Sequence, residues 1–258
     1  MLIDSHCHLN YKGLAENQAE VLQRARAAGV AGFLNISTKR AEWAEVVATA
    51  AREDDVWATI GIHPHEADNH LDVTAEVLME AARHGKVIGI GETGLDYFYE
   101  HSDRTAQQHL FRSHIRAARD LGLPVVIHTR DAEADTIAIL AEELADGSFR
   151  ALIHCFTGSA NFGRQVLELG LSISFSGIVT FKNARALQAV AADVPSDRLL
   201  IETDSPFLAP VPHRGKICEP AYIQETCKFL AELRGVSSDG LEAQTTSNFF
   251  SLFTKAVA

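Results

Sequence analysis

The sequence predicts a (β/α)8 barrel of the TIM type, formed by residues 1–258 as one domain. Its 258 residues are the usual size of a single such barrel. Short apolar or β-branched runs alternate with amphipathic stretches, as expected when each parallel strand is followed by a helix. The alternation continues to the end of the sequence without a linker or a low-complexity tract.

Eight runs are predicted strands, and most are separated by about 25 to 35 residues, the length of one βα repeat. They span residues 2–7, 32–36, 57–62, 87–91, 124–127, 151–153, 172–175 and 199–201. The clearest helical patterns are 14–28, 105–121, 132–144, 220–233 and 239–256. Gly29 and Gly122 follow the first two helical patterns, and glycine commonly ends a helix.

Composition restricts the class of protein. Hydrophobic residues make up 47% of the chain, enough for a large core, and no segment has the roughly 20 apolar residues of a membrane helix. The N-terminus lacks a signal-peptide pattern, so we expect a cytoplasmic protein without membrane contact. We also expect a monomer rather than an obligate oligomer. Four cysteines without C-x-x-C spacing indicate free thiols.

The net charge of -11 argues against a protein that clamps long nucleic acid by general electrostatics. It leaves nuclease chemistry open, because divalent ions bound in a cleft reverse the local field whatever the net charge.

Ionisable residues follow most of the predicted strands. In a (β/α)8 barrel the carboxyl ends of the strands meet at one mouth, where active sites are built. The sequence therefore predicts that seven distant side chains form one cluster: His6, His8, His63, Glu92, His128, His154 and Asp204.

Each member also has a structural interpretation. His6 and His8 share one face of a strand, with Cys7 on the other, but the two histidines could instead be hydrogen-bonded core residues. Glu92 follows an apolar strand and requires either an arginine partner or a metal. His128 and His154 each end an apolar strand, where a lone histidine is more often a core residue, and Asp204 could be a turn residue.

Taken together, the cluster favours metal binding. The four histidines and two carboxylates just described, without sulfur, suit zinc, manganese or a similar divalent ion. Six ligands exceed the number that one open catalytic site uses. Two ions that share Glu92 are therefore expected, an arrangement suited to hydrolytic displacement.

The sequence resembles the TatD-type metal-dependent deoxyribonucleases of the amidohydrolase-like superfamily, with matches in family order along essentially the whole chain. The matching segments are Ile-Asp-Ser-His-Cys-His-Leu, Ile-Gly-Ile-His-Pro-His, Ile-Gly-Glu-Thr-Gly-Leu-Asp-Tyr, Pro-Val-Val-Ile-His-Thr-Arg, Ile-His-Cys-Phe-Thr-Gly, Ile-Glu-Thr-Asp-Ser-Pro-Phe-Leu and Pro-His-Arg-Gly-Lys. Where the family usually continues with Arg-Asn before Glu-Pro, this chain has Ile217 and Cys218, which puts substrate preference in doubt.

The resemblance implies specific roles. Glu92 would bridge two divalent ions (Mg2+, Mn2+ or Zn2+), and Asp204 would also take a proton from the attacking water. His63 and His65 would lie beside the site. The substrate implied is DNA, bound transiently and trimmed from the 3' ends of single strands. The implied metal ligands are His6, His8, Glu92, His128, His154 and Asp204.

Residues after the strands suggest substrate contacts. Arg130, Arg214 and Lys216 could hold a phosphate, with surface solvation as the alternative. Tyr97, Phe98, Tyr99 and Phe156 could stack on bases, with loop packing as the alternative.

Two other functions remain open at the level of sequence. One is a related amidohydrolase-superfamily enzyme acting on a small ester, lactone, amide or aminoacyl ester with the same metals. The other is a non-catalytic barrel that binds metal or nucleic acid. The complete ligand set argues against this last interpretation, because a binding protein needs neither a bridging carboxylate nor an Asp in the position of a base.

Overall fold

Eight parallel strands form a barrel in which each strand pairs with the next one in the chain. The computed structural model describes residues 1–256. The strands are β1 (Leu2–Cys7), β2 (Val30–Asn35), β3 (Val56–Ile60), β4 (Val87–Asp96), β5 (Val125–Arg130), β6 (Ala151–Ile153), β7 (Ser172–Phe175) and β8 (Leu199–Ile201). A parallel bridge between Cys7 and Ser205 brings the first and last strands together. The predicted (β/α)8 TIM barrel is confirmed.

Helices separate the strands and cover the outside of the barrel. They are α1 (Gln18–Ala27), α2 (Trp43–Arg52), α3 (Ala75–Ala81), α4 (Arg104–Leu121), α5 (Glu133–Asp146), α6 (Ala160–Glu168), α7 (Arg185–Asp193), α8 (Ile223–Arg234) and α9 (Ser238–Leu252). Gly122 caps α4 with a φ of 66°, as predicted, whereas Ala28 caps α1 and Gly29 follows it. Within residues 1–256, none of these helices combines the length and apolarity needed to cross a bilayer.

The largest difference from prediction lies in β4. The sequence predicts its end at residue 91, but β4 continues to Asp96 because residues 93–96 stay in register with residues 127–130 of β5. Glu92 therefore lies within a strand rather than after it. The single-domain prediction for residues 1–258 stays a prediction, and positions 257 and 258 lie outside the described residues.

Two hydrophobic layers hold the barrel together. The outer layer packs strand residues, Cys7 among them, against the helices, so the thiol faces away from the barrel interior as expected. The inner layer contains side chains such as Ile3, Ile88 and Leu200, closed by Phe249 and Phe253 of the α9 region. Helix α9 ends at Leu252, four residues before the predicted end, and the ring of Phe253, which follows it, is fully buried. The four cysteines are free thiols, as predicted.

His114 links α4 to the segment that leads into the mouth. Its Nδ1–H donates to the carbonyl of Leu110 at 2.7 Å, and its Nε2 accepts the backbone N–H of Ile62 at 3.0 Å. Both ring nitrogens of the neutral imidazole therefore form hydrogen bonds, one as donor and one as acceptor. Burial lowers the pKa of His114 to about 4. The sequence assigned no site role to this histidine, and these contacts make it structural.

We expect the His114→Gln variant to lose less stability in acid than the parent. The unfolded chain binds a proton at His114 near pH 6.5 and the folded chain only near pH 4, so the free energy of unfolding falls as pH decreases between these values. The full difference is at most about 3 kcal/mol. Glutamine keeps a donor and an acceptor but does not titrate.

Urea denaturation at pH 7, 5.5 and 4.5 measures this effect. His109→Gln, an exposed change on the same helix, serves as the control. Parallel stability profiles for the parent and His114→Gln would contradict the assignment.

Candidate active site

The seven predicted side chains do meet at one mouth, and Glu92 lies at their centre with only 3% of its surface exposed. Its Oε2 is 3.4 Å from Nε2 of His6 and 3.9 Å from Nε2 of His8. Its Oε1 is 2.8 Å from Nε2 of His154 and 3.2 Å from Nδ1 of His128. The two carboxylate oxygens thus face two different groups of side chains.

Backbone contacts between strand ends hold this arrangement. The N–H of His8 donates to the carbonyl of Ser205 at 2.8 Å, and the N–H of Asp204 donates to the carbonyl of His6 at 2.9 Å. The N–H of Glu92 donates to the carbonyl of Ser37 at 3.0 Å. Residues distant in sequence therefore share one rigid rim.

The first group consists of His6, His8, Glu92 and Asp204. Nε2 of His6 and Nε2 of His8 are 3.2 Å apart, and Oδ1 of Asp204 is 3.6 Å and 3.3 Å from them, respectively. Metal bonds of about 2.1 Å in a tetrahedron place neighbouring ligands about 3.4 Å apart. The separations in this group match that value.

The same group shows polar atoms that its protein contacts leave unpaired. Within the described part of the chain, the buried Nδ1 atoms of His6 and His8 have no hydrogen-bond partner. If each carries its proton on Nδ1, both Nε2 lone pairs point into the group. A divalent cation between them would relieve the repulsion of these lone pairs, so the donor set fits a metal.

The second group contains Glu92 Oε1, His128 and His154, and each of its histidines has a second carboxylate partner. Nε2 of His128 is 3.1 Å from Oδ2 of Asp96, and Nδ1 of His154 is 3.3 Å from Oε1 of Glu202. Such partners fix the tautomer and orientation of metal-binding imidazoles. A metal that displaced the proton between each ring and Glu92 would leave each ring a lone pair directed toward the ion. This group too fits a metal.

Asp96 and Glu202 are the site residues that the sequence analysis missed. Both are almost fully buried, and both lie inside segments already singled out, Gly-Leu-Asp-Tyr and Ile-Glu-Thr-Asp. Apolar neighbours around an acidic residue are a usable signal, because a buried carboxylate requires a partner. Glu202 also accepts a hydrogen bond from Ser174, which orients it.

His63 and His65 lie beside the two groups. Nδ1 of His63 accepts the backbone N–H of His65 at 3.2 Å, so the neutral ring carries its proton on Nε2, 3.4 Å from Oε1 of Glu92. Burial lowers the pKa of His63 to about 4, so this ring is neutral at pH 7. His65 contacts Oδ2 of Asp96 at 2.8 Å.

Charge is balanced within the cluster. Burial alone would raise the pKa of Glu92, but His154, His63 and His128 outweigh it and hold the pKa well below its usual range. Burial opposes the charged form of Asp204 as well, and the contact with His8 and the nearby His6 lower its pKa. Conversely, Glu92 and Glu202 overcome burial and raise the pKa of His154 well above its usual range. The carboxylates of Glu92 and Asp204 are therefore both ionised at neutral pH.

A cavity of about 780 Å³ opens above the cluster. Its lining includes two neighbouring pairs of residues, Tyr11 with Phe207 and Tyr99 with Arg130. The Arg130 guanidinium lies 4.0 Å from the ring centre of Phe98 and 4.6 Å from that of Tyr99. The rim thus presents aromatic faces and one cation to a ligand.

The remaining predicted contacts lie elsewhere. The structure places Arg214 in a neighbouring cavity, 4.2 Å above the ring of Phe181, and not against the metal-ligand groups. Phe156 is buried against Phe162 and Phe175, so base stacking by Phe156 is wrong.

Three other residues can also be placed. The hydroxyl of Tyr97 donates to Asp135, while Ile217 is exposed and Cys218 is buried. Neither Ile217 nor Cys218 lines the cavity above the cluster.

Known proteins are similar to this chain in sequence and architecture. The family model described as TatD related DNase matches residues 3–254. The metal-dependent hydrolase YcfH of Escherichia coli K12 is 43% identical over 255 residues, covering 98% of this chain and 95% of that protein. The protein of Cronobacter sakazakii named 3'-5' ssDNA/RNA exonuclease TatD is 37% identical over 242 residues, covering 92% and 91%.

A solved structure agrees. The TatD homologue YjjV of Escherichia coli K12 superposes with a TM-score of 0.91 at 30% identity, covering 98% of each chain. The whole-chain family match and these relatives agree with a metal-dependent hydrolase built as a (β/α)8 barrel. This chain belongs to the TatD family of metal-dependent hydrolases.

Proposed function

We propose that this protein is a deoxyribonuclease that removes nucleotides from the 3' ends of single-stranded DNA with two divalent ions. The observation that carries the proposal is Glu92, whose two oxygens face two separate groups of ligand atoms beneath an open cavity. The Cronobacter relative named 3'-5' ssDNA/RNA exonuclease supports the polarity and the single-stranded substrate.

The residues divide between two metal positions that share Glu92. His6, His8 and Asp204 would hold one ion, and His128 and His154 would hold the other. Bound divalent ions would lower the pKa of a coordinated water and offset phosphate charge. Mg2+, Mn2+ and Zn2+ are all candidates, since the ligands are nitrogen and oxygen only.

Two residues would handle protons and hydrogen bonds. Asp204 is ionised, with its side chain 15% exposed toward the cavity, and would accept the proton of the attacking water. His63 is neutral and would donate its Nε2–H to a phosphate oxygen.

The rim favours unpaired bases. Phe207 and Tyr99 are about half exposed, at 49% and 48%, and both line the cavity. An exposed ring such as that of Phe207 can stack on a base, and Arg130, which lies over the Tyr99 ring, can hold a phosphate. Paired bases in a duplex would not expose their faces to these rings.

We expect a 5'-labelled single-stranded oligonucleotide to be shortened stepwise by metal-stripped protein only after Mg2+, Mn2+ or Zn2+ is restored. Glu92→Gln should reduce the rate by about 100-fold or more, because it removes the charge that both metal positions share. Glu168→Gln, the same change at a side chain that is 63% exposed on α6, should leave the rate unchanged. Gel electrophoresis of timed samples measures the ladder.

Absence of cleavage with all three metals would contradict the nuclease proposal. Turnover of a lactone or a small ester under the same conditions would then favour the alternative class of substrate.

Asp204→Asn should lower kcat by about 100-fold or more at saturating metal, the usual contribution of a general base. KM should change little, because the phosphate contacts remain. Steady-state kinetics with the metal content determined in parallel distinguish loss of the base from loss of metal. Normal turnover in a metal-loaded variant would remove Asp204 from the proposed mechanism.

Asp96→Asn should weaken metal binding by about 10- to 100-fold, the usual effect of losing a partner that orients a ligand. Asparagine keeps the oxygen that accepts the N–H groups of Phe98 and Tyr99 but replaces the one facing His128. Calorimetric titration with Mn2+ measures the change, with Asp135→Asn as the matched control. Equal affinity in the parent and Asp96→Asn would show that Asp96 does not position His128.

A further inference from the structure

A second cavity adjoins the mouth. It has a volume of about 510 Å³, within the range of small-ligand sites, and lies where the segments after β7 and β8 meet. We call it the flanking cavity. Its lining residues are Phe181, Lys182, Asn183, Val211, Pro212 and Arg214.

The cavity of about 780 Å³ above the Glu92 cluster, which we call the metal cavity, shares a wall with the flanking cavity. Ile178 and Leu208 line the metal cavity, and the residues three positions later in each segment, Phe181 and Val211, line the flanking one. Phe181 lies three residues after Ile178, at the end of the 3-10 helix Gly177–Thr180, and three residues of such a helix rise about 6 Å. The two cavities are therefore close neighbours.

Close packing makes this wall rigid. The N–H of Val211 donates to Oγ1 of Thr180 at 2.9 Å. A Cβ on Gly177 would lie 2.2 Å from the carbonyl oxygen of Leu208, so only glycine permits this approach. The distance between the two cavities is therefore built into the fold.

The chemistry of the flanking cavity suits a nucleotide. The Arg214 guanidinium stacks 4.2 Å above the centre of the Phe181 ring, and guanidinium planes are good partners for bases. Lys182 adds a second positive charge, Asn183 adds an amide donor and acceptor, and the lining contains no acidic side chain.

Within the described residues, the charges of Lys182 and Arg214 are not paired with carboxylates. Arg112, Arg116 and Arg119 pair with Glu142 or Glu143 on the outer helices. Among residues 1–256, by contrast, no carboxylate lies within ion-pair distance of Lys182 or Arg214. In a chain with a net charge of -11, two unpaired cations beside the mouth form a local attraction for phosphate.

We propose that the flanking cavity binds the nucleotide of the same single strand that neighbours the one being cleaved. Its base stacks on the Arg214 guanidinium, and its phosphate contacts Lys182. The inference rests on the proposed nuclease function and extends it, because it assigns a second nucleotide-binding position next to the metal-ligand groups. The substrate is accordingly an oligonucleotide, held at two adjacent positions.

The test compares two phosphodiester substrates. Hexathymidylate can reach both cavities, whereas bis(p-nitrophenyl) phosphate has no nucleoside and needs the metal cavity alone. Steady-state kinetics are measured for the metal-loaded parent, Lys182→Ala and Arg214→Ala. Arg185→Ala removes an exposed cation from α7 that does not line the flanking cavity and serves as the matched control.

We expect Arg214→Ala to raise KM for hexathymidylate about tenfold, as for the loss of one stacking partner. Lys182→Ala should raise KM as well and reduce the slope of its logarithm against log salt by about 0.7, one phosphate contact on a single strand. Hydrolysis of bis(p-nitrophenyl) phosphate should be unchanged, and Arg185→Ala should behave as the parent on both substrates.

Three results would overturn the inference. Unchanged KM for hexathymidylate in both variants, with the parent active, would exclude the flanking cavity and leave the nuclease function intact. Equal losses on both substrates would show general damage to the metal cavity. No cleavage of hexathymidylate by the parent with any metal would reject the nuclease function and the inference with it.

Discussion

Glu92 is a carboxylate almost completely removed from water, and the rest of the mouth is arranged around it. An isolated charge in such a position would cost several kcal/mol, so it must be met by opposite charge or by metal. Histidines from β1, β3, β5 and β6 or their ends supply that environment from all sides. Because each comes from a different strand, the barrel must close before the charge is stabilised.

The histidines in turn depend on a second layer of polar contacts. Asp96 orients His128, and Glu202 orients His154. Asp4 of β1 accepts the N–H and the hydroxyl of Thr203, which follows β8, and so joins the first strand to the last. This polar end is opposite the apolar one, where Phe249 and Phe253 close the barrel interior. The structure thus separates stability at one end from chemistry at the other, as is usual in this fold.

Charge distribution connects the site with its proposed substrate. The chain is strongly acidic, and Arg112, Arg116 and Arg119 on α4 are held in ion pairs with α5. Arg130 at the rim and Arg214 beside it instead stack on aromatic rings, which leaves their hydrogen-bonding edges available. Binding of the proposed substrate would therefore depend on a few placed cations and on divalent ions held in the cleft. A broad basic surface is not required.

Much of this molecule could be predicted from the sequence. Alternating apolar runs and amphipathic stretches indicate parallel strands buried on both faces, and eight such repeats in 258 residues have the size of one closed barrel. The position of His6, His8, Glu92, His128, His154 and Asp204 relative to those runs then determined which residues gather, because strand order and strand direction bring equivalent ends together. The spacing of apolar residues along the chain is therefore sufficient to predict both the fold and the residues that gather at the mouth.

Other features were decided only by the tertiary structure. The extension of β4 past Glu92, the pairing of Asp96 with His128, and the proton position on His63 all depend on register and on backbone contacts between distant segments. Arg130 ends β5 and Arg214 lies in the long loop after β8. Arg214 lines a different cavity because the path of that loop, and not its sequence pattern, decides where its side chain lies. Periodicity specifies which face a residue occupies within its own element, whereas contacts between elements arise only when the barrel closes.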